Sequence, residues 1–147
     1  MKYINIHFVI CISYCDVYKP YIVKCLDSVK NNNYTNYEII FVNDGATDIT
    51  FLNNHSLYNT HKISVISSGY NYGPGFSKWK FIEYLQNNNF NINDVAIIID
   101  GDDTITSDAL EIINKCYIDN TCWCSFGSAI GNFCLKSKNE AIKIKNY

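Results

Sequence analysis

At 147 residues the chain is long enough for one domain with a real hydrophobic core, and 48% hydrophobic against 18% charged residues is an ordinary globular balance. Twelve basic residues against fourteen acidic ones leave a net charge of −2, which gives no reason to expect nucleic acid as a partner. No apolar run approaches the ~18 residues of a membrane span, so no transmembrane segment is expected.

In chain order, residues 6–13 read as a buried strand rather than a signal peptide, because the apolar stretch is short and no small-residue cleavage site follows it. Pro20 suits the first turn of a helix, on which Ile22, Cys25, Leu26 and Val29 form one apolar stripe at i, i+3, i+4 and i+7. An Asn run ends it. Residues 37–42 form the next apolar strand, closed by the turn signal Asn43-Asp44-Gly45. A weak helix is expected over 49–58, a strand over 62–67 and a Gly/Pro-rich loop over 68–75. Residues 76–87 read as a helix with Trp79, Ile82 and Leu85 on one face, and 95–100 as a strand ending in Asp100. Asp108 and Glu111 resemble a capping box for a helix to residue 117, and 121–127 suggest a fifth strand.

The seven cysteines include no Cys-x-x-Cys pair and no flanking His, so they read as reduced apolar thiols rather than zinc ligands or disulfides. Reduced thiols without a leader or membrane anchor point to a cytoplasmic protein. Two Asn-x-Ser/Thr triplets, at Asn33 and Asn54, are chance matches in so Asn-rich a chain.

Continuous apolar strands alternating with amphipathic helices imply an α/β fold, a mostly parallel sheet covered by helices on both faces. In such sheets ligands bind beyond the carboxyl ends of the strands. Three of those ends are polar: Ser13-Tyr14-Cys15-Asp16, residues 43–48, and Asp100-Gly101-Asp102-Asp103. The last places three carboxylates within four residues. Such a set calls for water or a counter-charge, and its all-oxygen chemistry suits a hard divalent cation completed by phosphate. Asp100, Asp102, Thr104, Asp108 and Glu111 also fall at calcium-loop positions, but Ile105 stands where that loop needs glycine.

Taken together these strings resemble the family 2 glycosyltransferases. Residues 39–48, Ile-Ile-Phe-Val-Asn-Asp-Gly-Ala-Thr-Asp, resemble that family's second-strand signature, and residues 25–29 its first helix. Asn71-Tyr72-Gly73 resembles its Asn-x-Gly loop, and Asp100-Gly101-Asp102-Asp103 its Asp-x-Asp element. The resemblance implies a Rossmann-like GT-A donor-binding domain over residues 1–135, with 136–147 as a Lys-rich tail. It implies inverting transfer of a sugar from a nucleotide diphosphate, a UDP-sugar by the base contact, with Mn²⁺ or Mg²⁺.

By the same resemblance, Ser13 and Tyr14 lie near the nucleoside, and Asp44 accepts a hydrogen bond from a pyrimidine ring N–H. Asn71, Lys78 and Asp100 complete the nucleotide-sugar contacts, and Asp102 and Asp103 hold the metal. Lys78 stands where many relatives carry Arg, so it offers phosphate a point charge rather than a fork. No catalytic base is assigned, since beyond Asp108 and Glu111 the only acidic residues are Asp119 and Glu140, and neither lies in a matching motif. The expectation is a chain that stops after the donor half, a transferase completed by a partner subunit or homo-oligomer. The alternative is a non-catalytic nucleotide-sugar-binding module or truncated remnant. A phosphoryl-transfer or receiver-like domain would share the acidic strand ends but not the second-strand signature.

Overall fold

The computed structural model describes residues 5–60, 62–91, 93–118, 124–128 and 131–135. Four parallel strands make the central sheet: β1 (Phe8–Tyr14), β2 (Tyr37–Asp44), β3 (Ile63–Ser68) and β4 (Val95–Asp100), in the order β3-β2-β1-β4. All seven residues of β1 are buried, as expected of a strand covered on both faces. Its even-numbered side chains, Phe8, Ile10, Ile12 and Tyr14, join Ile39 and Phe41 of β2 in the larger core. There they meet Ile22, Cys25, Leu26 and Val29 of α1 (Ile22–Lys30) and Leu110 of α5 (Ala109–Ile118). The opposite face, with Val9, Cys11, Ile40 and Val42, packs on Phe81 of α4 (Pro74–Asn87).

Several elements depart from their sequence reading. Helix α1 starts at Ile22, and Pro20 stands in the turn before it, after a short 3-10 turn at Asp16–Tyr18. The stretch 49–58 is two single turns, α2 (Phe51–Asn54) and α3 (Ser56–Asn59), broken where His55 is extended (φ −81°, ψ 133°). His55 Nδ1 accepts the Leu57 N–H at 3.3 Å, so the residue that ends one turn caps the next. Helix α4 begins at Pro74, inside the expected loop, because a proline fits a first helical position. It buries Ser77 and Phe81, while of the expected face Trp79 and Ile82 are 52% and 50% exposed and Leu85 packs partly buried against the core. Small Ser77 lets the helix settle close to the sheet, and Phe81, one turn on, fills the hollow between β1 and β2.

At the amino end of the sheet, buried Asn114 of α5 accepts the Ile6 N–H and the Tyr34 hydroxyl at 3.2 and 3.1 Å. Asp108 takes the Thr106 hydroxyl at 2.7 Å, while Glu111 pairs with Lys115 at 2.9 Å. The fifth strand appears as β5 (Cys124–Ser128), antiparallel to β6 (Gly131–Leu135) in a separate two-stranded sheet. Residues 121–123, the tail 136–147, Asp119 and Glu140 lie outside the described residues. Among those described, Cys11, Cys15 and Cys25 are free thiols. No described helix is long and apolar enough to cross a membrane.

Candidate functional site

The registers bring the polar strand ends to one edge of the sheet. Ser13 is paired with Asp100 across β1 and β4, Tyr14 with Asn43, and Asp44 with Ser68. The sheet order turns back between β1 and β4, so this is the switch point where α/β sheets leave a crevice. A cleft of about 100 Å³ opens there, with Ser13, Tyr14, Cys15 and Tyr18 on one side and Asp44, Asn71, Gly73, Pro74 and Ser77 on the other. A larger hollow of about 280 Å³ between Glu38, Tyr84, Asn88 and Asp94 lies away from these strand ends and lacks their convergence.

On the β1–β4 side, the Ser13 hydroxyl donates to Asp100 Oδ1 at 3.0 Å, and Lys78 Nζ stands 3.9 Å from the same oxygen. The Asp103 N–H closes the acidic turn onto the Asp100 carbonyl at 2.9 Å. Gly101 makes that turn possible, since a Cβ there would lie 2.6 Å from the Ser13 carbonyl oxygen. Asp102 and Asp103 are exposed. Partial loss of hydration, then the charges of Asp102 and Asp100, push the Asp103 carboxyl above its ordinary range. Beneath the turn, burial first and then the three carboxylates hold the Cys25 thiol up at about 12. Among the described residues no group of three or more metal-ligating side chains converges. The donor set is nonetheless all oxygen, and a cation would relieve the mutual repulsion that Asp103 registers.

On the β2 side, Asp44 is almost fully buried, 3% exposed. Its Oδ1 accepts the Tyr72 N–H at 2.9 Å and its Oδ2 the Gly73 N–H at 2.8 Å. Gly73 N–H also reaches Asn71 Oδ1 at 3.0 Å, so the Asn71 side chain folds back onto its own loop. Gly45 (φ +71°) lies directly under that loop: a Cβ would sit 2.3 Å from the Asn71 nitrogen.

Tyr14 borders the cleft, but its ring is wholly inside the core, 5.5 Å from Phe41 and 5.3 Å from Phe51 by centroids. Its hydroxyl donates to the Asp48 carbonyl at 3.4 Å, and burial, followed by Asp16 and Asp48, raises its pKa. The structure thus brings Ser13, Tyr14, Asp44 and Asn71 to the cleft wall, while Asp100 and Lys78 join from outside that lining, Asp100 through Ser13 and Lys78 through Asp100. Sequence reasoning passed over Tyr18 and Ser77, and named Cys15 only as part of a polar strand end. Tyr18 packs over Gly101, and Ser77, a small residue one turn before Phe81, was legible only once the buried face of α4 was known.

The family model for Glycosyl transferase family 2 matches residues 9–135. The chain belongs to that family. A segment of 56 residues is 41% identical to an uncharacterized glycosyltransferase of Haemophilus influenzae, covering 37% of this chain and 17% of that protein. The structure of S. aureus TarS 1–349 in complex with UDP-GlcNAc superposes with a TM-score of 0.64 at 20% identity, over 79% of this chain and 32% of that 1–349 chain. The mannosyltransferase PcManGT from Pyrobaculum calidifontis, in complex with GDP-Man and Mn²⁺, gives 0.58 at 14% identity, over 75% of this chain and 32% of that one. This family 2 chain therefore has the Rossmann-like GT-A fold, and it spans about a third of the length of those structures.

Proposed function

We propose that this chain forms the donor half of a metal-dependent glycosyltransferase that takes a nucleotide-diphosphate sugar, a UDP-sugar by preference, and transfers with inversion. The observation that carries the reading is the convergence of three polar strand ends at the switch point, sealed by the Ser13–Asp100 hydrogen bond beside Asp44. A cleft of this size receives a flat ring at Ser13, Tyr14 and Asp44, and the remainder of the donor lies along Asn71, Lys78 and the acidic turn.

Asp44 keeps capacity on Oδ2 for a pyrimidine N–H, because a carboxylate offers about four lone-pair sites, the two loop amides take one on each oxygen, and the Ser68 hydroxyl stands 3.3 Å from Oδ1. Complexes of TarS with UDP-GlcNAc and with UDP favour the uridine reading. Lys78, already drawn toward Asp100, supplies a point charge to the diphosphate. Asp102 and Asp103, exposed and oxygen-bearing, would hold Mn²⁺ or Mg²⁺. Bound there, the cation supplies Lewis-acid neutralisation of the departing diphosphate. Inversion also requires a base for the acceptor hydroxyl, and none of the described residues is assigned that part.

Calorimetry tests the reading with UDP and GDP, each with Mn²⁺ and with chelator, on wild type and Asp102→Ala. Metal-dependent UDP binding that disappears in the variant is expected; no binding of any nucleotide overturns the proposal. Donor hydrolysis at high protein concentration then separates a transferase from the alternative, a nucleotide-sugar-binding module without turnover.

A further inference from the structure

We infer that Asp44 is a positioning residue, which builds the far wall of the cleft by holding the loop at residues 69–73 and, through it, the start of α4. Four observations carry this. Each carboxylate oxygen accepts one of two consecutive backbone amides, Tyr72 on Oδ1 and Gly73 on Oδ2, with the side chain buried. Two amides on two oxygens of one carboxylate is a charge-assisted clamp that a neutral amide side chain cannot reproduce.

Next to it, Gly45 leaves the space the loop occupies, its missing Cβ being 2.3 Å from both the Asn71 nitrogen and the Tyr70 carbonyl carbon. From β3, the Ser68 hydroxyl donates to the Tyr70 carbonyl at 2.7 Å, tying down the loop's other end. Finally, Gly73 is the N-cap of α4, and Ser77 and Lys78 follow within its first turns. The clamp therefore fixes where α4 begins, and so where Lys78 meets Asp100.

One buried carboxylate on β2 thus coordinates the two sides of the cleft. Its consequence for ligands rests on the reading of that cleft as a nucleotide site; the clamp itself does not.

The test uses the full chain without nucleotide or metal and follows amide hydrogen exchange by NMR. Asp44→Asn offers one oxygen where two are used, and its own N–H₂ then opposes a loop N–H. Exchange at Tyr72 and Gly73 is expected to accelerate by about tenfold or more, while Ile10 and Ile40 in the sheet keep their wild-type rates. Gly45→Ala, which displaces the loop with the carboxylate intact, is expected to give the same pattern. UDP and GDP affinities are expected to fall by similar factors in both variants, because the wall moves for every base.

Unchanged exchange at Tyr72 and Gly73 in Asp44→Asn overturns the inference, as does a loss confined to UDP with the loop undisturbed. Should Asp44→Asn fail to fold, Ser68→Ala decides on the same readout: faster loop exchange supports the clamp and unchanged exchange overturns it. A wild type that binds no nucleotide sinks the proposed function and leaves the exchange result to judge the clamp.

Discussion

Single atoms decide much of this site. Gly101 is one methyl group away from collision with the Ser13 carbonyl, the Tyr18 ring and Ile22. Gly101→Ala is expected to cost about 1–3 kcal/mol, the range of overpacking in a filled site, and to loosen the acidic turn. Urea unfolding measures the first effect and Mn²⁺ titration the second. Asp48 shows a different residue-level economy. The Thr50 hydroxyl and N–H, with Lys19 at 3.3 Å, hold its carboxyl down at about 2 from an ordinary 3.8. A depressed carboxyl stabilises the fold above its ordinary value, and that contribution is lost as pH falls from about 4 to about 2. The stability difference between wild type and Asp48→Asn is therefore expected in full at pH 5 and to fade as pH falls through about 2. It should shrink in high salt, since the group is exposed to solvent. Cys11 and Cys25 are both buried and held near 12, whereas Cys15 is half-buried beside the cleft. Brief alkylation at pH 8, read by mass spectrometry, is expected to label Cys15 and spare the other two.

At the scale of elements, α4 is where periodicity and packing disagree. The face expected from periodicity runs through Trp79, Ile82 and Leu85, and the buried one through Ser77 and Phe81, with Leu85 partly buried at its edge. Counting hydrophobic residues favours the first; the sheet takes the second, because a small residue near the strand ends allows close approach. Phe81→Ala is expected to cost about 3–5 kcal/mol, as for an aromatic removed from a core. Trp79→Ala, half-exposed beside Phe76 and Lys80, is expected to stay within about 0.5 kcal/mol. Reversal of that order in urea unfolding would mean the helix is rolled onto its other side. In α1 no such conflict exists, and the stripe Ile22, Cys25, Leu26 and Val29 was readable at once and is buried throughout.

For the whole molecule, the continuous apolar strands were enough to foresee a parallel sheet covered on both faces, and the polar strand ends to foresee a shared edge. Strand order was not readable, since pairing β1 with both β2 and β4 depends on contacts far apart in sequence. Nor was the inward turn of Asp44 onto Tyr72 and Gly73, for a carboxylate after a strand looks the same whether it faces ligand or loop. The Tyr14 ring likewise met Phe41 and Phe51 in a core that no local pattern announces. The order β3-β2-β1-β4 has one more result: among the described residues β4 hydrogen-bonds to β1 alone, and its Ala96 and Ile98 are exposed. An edge strand with an exposed Ile is a template on which another strand can nucleate. Solutions of this chain are accordingly expected to cloud as concentration rises, by backbone pairing that ignores the cleft entirely. Ala96→Lys, placing one charge on that margin, is expected to keep them clear in light scattering.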